Sequence, residues 1–506
     1  MIIIGGGIAG LSVAWYLERA AAARGLPLEY TLLERSERWG GKVWTERVEG
    51  FGGGPFLLEA GPDAFLTRKP AALALARELG LGARIQGINM EHARTFVARH
   101  GRPTPLPEGV RLLAPTRWGP LLRSPLFSAA GKLRMGLEML LPPRRDEADE
   151  SLASFVRRRY GSEALDVLAE PLMAGVYNGE PERQSILATF PQFRALEARY
   201  GSVTRGARAE ARAETQARAR AAGADGEQPG TAVPPFISFD TGTATLVEAL
   251  LARLTGTLRL STSAAGIERD GSGYRVTLAD GDGAGSGMEG ASAGSGVEGS
   301  RVQGSMVRTA DAVIVAALAP DAAALLRSVA PEAAERLGAI RTAGIASVYL
   351  AYPRDAVTHS LDGFGVVIPS GEGRRIDGMT WTSSKWSGRA PDGSVLLRLF
   401  FGGPATRGML DLPDDDVVAA ARAEVEDLLG ARGDPLFHRI YRWRDGYPQY
   451  DVGHRERVAA IEAALPSGLV VTGSSYRGVG VPDTVAQGYA AAERIVASLA
   501  GNANAQ

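Results

Sequence analysis

Cysteine is absent from all 506 residues. That excludes disulfides, thiolate metal sites, redox dithiols and a flavin tethered through sulfur, and it fits a reducing compartment. Histidine is scarce too: the five (His92, His100, His359, His438, His454) are too scattered to argue for a metal centre or a triad, and His454 reads as structural. No uninterrupted apolar run reaches the roughly 18 residues that a membrane-spanning helix needs. Neither sign of charge dominates: 56 Lys and Arg offset 57 Asp and Glu, so no global field draws the chain to nucleic acid. The chain opens directly on an apolar strand, and neither a signal nor a transit peptide is expected. A cytoplasmic location follows as the expectation, with peripheral residence on the cytoplasmic membrane as its variant.

Glycine, by contrast, is abundant, with 64 residues, and its placement carries the first functional signal. Ile2-Ile3-Ile4 reads as a buried parallel strand, followed by a GxGxxG turn at Gly5, Gly7 and Gly10 and an apolar helix through Ile8, Leu11, Val13, Ala14 and Leu17. The first glycine makes the turn, the second admits a pyrophosphate and the third lets helix pack on strand. The helix N-terminus then offers free N–H groups to phosphate. Glu34, about two dozen residues on, ends the second strand where a carboxylate accepts ribose hydroxyls, which disfavours a 2′-phosphate and hence NADP. Arg35, Gly41 and Lys42 follow at once, a second glycine and cation cluster with no use in an NAD-only domain.

Near the other end, residues 468–473 form a strand that stops at Gly473. Gly480, Val481 and Pro482 then open a last helix, where proline suits the first turn because its missing N–H would be unpaired there anyway. Two glycine-rich helix starts at opposite ends favour FAD over NAD. Length alone argues for more than one core. The expected fold class is α/β: a discontinuous Rossmann-like FAD domain with an antiparallel-sheet substrate domain and a helical domain. The expected bounds are 1–83, 239–325 and 444–506 for FAD, 84–200 for the helical and membrane-associating part, and 326–443 for the substrate sheet. That sheet should use strands at 345–351, 365–368 and 396–401. Residues 201–238 are expected to be a flexible excursion: the Ala/Arg/Glu run at 205–230 could form a short solvated helix, but its lack of an apolar stripe favours a mobile segment. The Gly/Ser-rich stretch 280–304 reads as a loop expanding a hairpin between strands at 274–278 and 307–315, and residues 311–317 have the continuous apolar character of a buried parallel strand.

Several stretches go beyond generic nucleotide binding. These are residues 34–42 and 58–70 (with Gly61, Pro62, Asp63, Arg68 and Lys69), 170–181 (with Gly175-Val176-Tyr177), 188–191, 448–454 and Gly478-Val479-Gly480-Val481-Pro482-Asp483. In them the chain resembles the FAD-dependent protoporphyrinogen and coproporphyrinogen III oxidases of haem synthesis, within the wider flavin amine oxidase group. Thr484 stands where that family often has cysteine and Asn178 where alanine is usual. The resemblance implies hydride transfer from a porphyrinogen methylene bridge to flavin N5, with molecular oxygen reoxidising the flavin to hydrogen peroxide. It places Gly175 against the substrate and Gly61, Pro62 and Asp63 near the flavin. Arg68, Lys69 and Arg94 are candidates for the propionates, since a broad apolar macrocycle fringed by carboxylates needs a few cations at its mouth. Asp63 has two readings, an aid to loss of pyrrole protons or a turn or N-cap residue. Ferrochelatase is an expected partner, and the state a monomer or homodimer. An amine oxidase or carotenoid desaturase of the same fold, or a porphyrin carrier, would be the rival reading. Residues 111–145 mix leucines with arginines and could lie on an anionic membrane surface or form a helical core.

Overall fold

A computed structural model describes residues 1–224, 234–279, 301–302 and 305–503. Its nucleotide-binding core is a five-stranded sheet in the order Thr257–Arg259, Thr31–Leu33, Ile2–Ile4, Val313–Val315, Leu469–Val471, with every pairing parallel. Ile3, Leu32, Ile314 and Val313 are fully buried, as befits strands covered on both faces. The strands come from widely separated parts of the chain, and the fold is α/β. The first helix, Ile8–Ala23, packs beside the last, Val481–Ala503. A Cβ on Gly488 would lie 2.9 Å from the Ser12 Cβ and 3.2 Å from the Ala9 carbonyl oxygen, so the two backbones touch closely. Tyr16 and Tyr489 seal the contact edge to face at 5.1 Å.

A seven-stranded sheet, with one parallel pairing in it, forms the second layer: Phe437–Pro448, Thr342–Pro353, Ser394–Phe401, Gly378–Trp381, Gly365–Val367, Thr95–Arg99 and Arg102–Pro105. It contains the three strands anticipated near 345, 365 and 396. Its last two strands arise from a region expected to be helical, because Val97 and Ala98 alternate into the sheet and are fully buried. The strand anticipated over 307–315 is two strands. Ser305–Ala310 pairs antiparallel with Gly273–Leu278, and Val313–Val315 enters the parallel sheet after a break at Asp311. The loop expected at 280–304 lies outside the described residues except for Arg301–Val302, which pairs with Ser305 and Met306.

The excursion expected from residue 201 is corrected over its first part, since Val203–Ala224 is a helix. Val203 and Thr204 are fully buried, Gly206 sits against Leu196 and Tyr200 where a Cβ would clash at 2.7 and 2.8 Å, and Arg111 forks onto Glu214. Ala, Arg and Glu are strong helix formers, so an anchored first turn propagates without an apolar stripe. Residues 225–233 lie outside the description.

Candidate active site

The cofactor cradle is built where the first glycine turn meets the second. Gly40 donates its N–H to the Gly6 carbonyl at 2.8 Å, and Gly7 and Gly40 form an isolated parallel bridge. Gly10 has no freedom to be anything else, since its Cβ would fall 1.9 Å from the Gly5 carbonyl oxygen. Gly7 is different: a Cβ there would meet nothing nearer than the Gly41 Cα at 4.0 Å, so the face above the helix N-terminus is open. Glu34 stands at its edge, one carboxylate oxygen accepting the Gly6 N–H at 2.7 Å and the other the Ser36 N–H at 2.8 Å. The Ser36 hydroxyl also donates to that second oxygen at 2.7 Å, so the oxygen that accepts from Gly6 is the one that keeps a lone pair for a further donor.

Of the cations expected here, Lys42 turns inward, donating to the Gly446 carbonyl, and burial lowers its pKa to about 8. Arg35 points outward to Asp321 at 3.2 Å. The neighbour that comes in is Arg38, stacked over Trp44 at 4.6 Å with its pKa lowered by burial; nothing in the linear pattern separates the two arginines.

Gly61 is locked against Lys42, whose carbonyl oxygen would lie 1.9 Å from an added Cβ. Arg398 donates to the Gly61 carbonyl at 2.9 Å, and Pro62 leads into Asp63. Asp63 is neither a turn nor an N-cap residue. It accepts from Lys385 Nζ at 2.7 Å and Trp386 Nε1 at 3.2 Å. Burial alone would raise its pKa, but Lys385 and Arg398 outweigh that and hold the carboxyl well below the usual carboxylate range. Lys385 and Trp386 make Asp63 an anchor between its own loop and the Thr382–Lys385 turn.

At the other cofactor stretch, Gly473 takes φ +121° beside Ala9, and Gly480, Val481 and Pro482 lead into the last helix. Asp483 on that first turn is met by Lys69 Nζ at 2.6 Å. Tyr177, two residues after Gly175 in a one-turn helix, lies 5.7 Å from the Tyr450 ring, and its carbonyl accepts from Gln449. Lys69, the Gly175–Tyr177 turn, Tyr450 and Asp483 are therefore drawn together from four remote segments. Arg68 is exposed and has no partner among the described residues, and Arg94 sits on a separate rim, paired with Asp362 at 2.7 Å. Lys385, Trp386, Arg398 and Tyr450 were not picked out as site residues from sequence.

An open glycine-lined cradle, a carboxylate oxygen with a free lone pair and two helix starts packed side by side suit a long dinucleotide. The pattern of the family described as "Flavin containing amine oxidoreductase" matches residues 8–496. The chain belongs to that family. Its cofactor is FAD, and the donor set just described fits it. A coproporphyrinogen III oxidase of Bacillus subtilis is 32% identical, covering 97% of this chain and 96% of its own. A chloroplastic protoporphyrinogen oxidase of Spinacia oleracea is 28% identical over 98% of this chain and 84% of its own. Among solved structures, an Exiguobacterium sp. 255-15 protein assigned as a protoporphyrinogen oxidase superposes with TM-score 0.79 at 29% identity, covering 98% of each chain. Putrescine oxidase shares the fold at TM-score 0.65 and 16% identity, over 98% of each chain.

Proposed function

We propose that this chain oxidises coproporphyrinogen III, or its relative protoporphyrinogen IX, to the porphyrin in haem synthesis. The observation that carries the reading is the meeting of the 58–70, 170–181, 448–454 and 478–483 stretches at one place, in a chain whose full-length relatives bear those names. Bound FAD would supply a two-electron acceptor used three times over, three hydrides and three protons leaving the ring in all and three oxygen molecules taking up the electron pairs as three hydrogen peroxides. The protein's own task is positioning. Gly175 lets backbone approach the macrocycle, and Lys69 offers a cation to a propionate, its charge held in place by Asp483. Arg68 and Arg94 serve the outer carboxylates. The porphyrin product is the ring that a ferrochelatase metallates, which makes such an enzyme the expected recipient.

Anaerobic mixing of the yellow protein with each porphyrinogen, following flavin absorbance, tests the reaction. Bleaching, then fluorescent porphyrin and peroxide on admitting oxygen, is the expected course. Absence of bleaching by either substrate would shift the weight to an amine or polyene. Lys69→Ala should raise KM for the bleaching substrate about tenfold with little change in kcat, since a propionate contact is made equally in ground and transition states. A changed kcat with unchanged KM would remove Lys69 from substrate binding.

Among the described residues no helix is long and apolar enough to cross a membrane. A surface contact has a different basis. Helices Trp118–Arg123 and Ala129–Leu137 bury Leu121 and Met135 while Leu122, Leu133 and Leu140 stand 59%, 68% and 76% exposed, beside Arg123 and Lys132. Leucines ringed by cations suit an anionic lipid surface. Flotation with phosphatidylglycerol vesicles should capture the protein, and Leu133→Glu with Leu140→Glu should release it; equal flotation of both would refute the contact.

A further inference from the structure

The loop of residues 473–480 carries the second half of the cofactor cradle, yet it is neither strand nor helix, and within it the Tyr476 N–H donates to the Gly473 carbonyl at 3.3 Å in a turn. It lies between a strand that ends at Val471 and a helix that begins at Val481. Glycines in the left-handed region, Gly473 at φ +121° and Gly478 at φ +127°, give it its turns. Backbone freedom of that kind has to be restrained from outside if the helix start is to face a ligand with fixed geometry.

Two buried side chains supply the restraint from one side. The Tyr450 hydroxyl donates to the Ser474 carbonyl at 2.7 Å and accepts the Gly478 N–H at 2.8 Å. His454 stacks on the Tyr450 ring, centroids 3.9 Å apart and planes 13° from parallel, and its Nε2 meets the Tyr476 carbonyl at 2.8 Å. Because a carbonyl only accepts, Nε2 carries the proton. Burial lowers the pKa of His454 to about 4, so the ring is neutral with Nδ1 bare. Gln487, from the helix, closes the other side by accepting the Arg477 N–H at 3.1 Å and donating to the Asp483 carbonyl at 3.2 Å. The Tyr450 ring meanwhile touches Tyr177 on the proposed substrate side.

We propose that Tyr450 and His454 are positioning residues for FAD: as a stacked pair they clamp alternate backbone groups of the 473–480 loop and thereby aim the last helix at the cofactor. The inference concerns cofactor binding and stands independently of which substrate is oxidised. Neither residue need touch FAD. Their spacing, four apart across the entry to the helix His454–Ala463, is what allows the rings to stack.

The test is titration of deflavinated protein with FAD, read by flavin fluorescence, alongside thermal midpoints of the apo and holo forms. Tyr450→Phe keeps the ring stack and deletes both loop bonds. It should weaken FAD binding about tenfold, the scale of one or two lost hydrogen bonds, and should shrink the difference between holo and apo midpoints. A purely structural tyrosine would lower both midpoints together and leave Kd unchanged, and that result would overturn the proposal. A second pair guards against a Tyr450 variant that fails to fold. His454→Gln retains a donor for the Tyr476 carbonyl and should bind FAD more tightly than His454→Ala; equal Kd values would remove His454 from the clamp.

Discussion

Gly7→Glu is expected to yield a folded, colourless protein. The apo fold has room for the new side chain, because a Cβ at residue 7 meets nothing closer than 4.0 Å. That room is where the pyrophosphate has to lie, over the N-terminus of the first helix, so the glutamate both fills it and sets a negative charge against the phosphates. Affinity for FAD should fall on the order of a thousandfold or more, about 4 kcal/mol. The natural comparison is Gly10→Ala, whose smaller side chain is the more damaging to the fold because its Cβ would sit 1.9 Å from the Gly5 carbonyl oxygen. Circular dichroism and flavin content separate the two: fold kept and flavin lost for Gly7→Glu, both impaired for Gly10→Ala. A Gly7→Glu protein that purifies yellow at full occupancy would overturn the placement of the cofactor.

Glu138→Gln should be the most destabilising single change in the helical region. Glu138 and Arg159 are both fully buried and paired, and the carboxylate also accepts from Ser202 Oγ at 2.6 Å and the Val203 N–H at 2.9 Å. It thus ties the end of the Ala129–Leu137 helix to the start of Val203–Ala224. Around it Arg158 and Arg194 share Glu150 and Glu197, a network in which burial raises the pKa of Glu197 but the arginines outweigh it and bring it down to about 2. Neutralising Glu138 leaves the Arg159 guanidinium, in a site closed to water, with Glu197 at 3.5 Å as its remaining carboxylate among the described residues. Breaking such a pair costs about 3–5 kcal/mol. Urea unfolding followed by tryptophan fluorescence should show an earlier transition, while FAD affinity measured below it stays near wild type. A shift under about 1 kcal/mol would mean that Glu197 alone is enough to neutralise Arg159.

Both predictions rest on contacts of different legibility. The cradle at Gly5, Gly7, Gly10 and Glu34 could be read from the chain because each requirement is local: a turn, a close approach and a strand end, all within one βαβ unit. The strands at 345, 365 and 396 were legible for the same reason, their alternation being local. Residues 95–105 show little period because the adjacent Val97 and Ala98 are both buried, on opposite faces of the sheet, and 203–224 reads poorly because an Ala/Arg/Glu helix hides its anchor in its first turn.

Spacing within a few dozen residues is enough to specify the glycine turn, the second glycine-rich helix start and the α/β class, and the presence of two such helix starts at opposite ends of the chain is what favours FAD. Folding alone settles that Arg38 and not Arg35 turns inward, that Asp63 is held by Lys385, and that Lys69 meets Asp483. The Asp63 pair joins residues 322 positions apart and the Lys69 pair residues 414 apart. No periodicity spans such distances; Asp63 and Lys385 meet because the packed sheets, each formed by its own local pattern, hold both charges largely out of water, while the exposed Lys69 reaches the largely buried Asp483 from the surface.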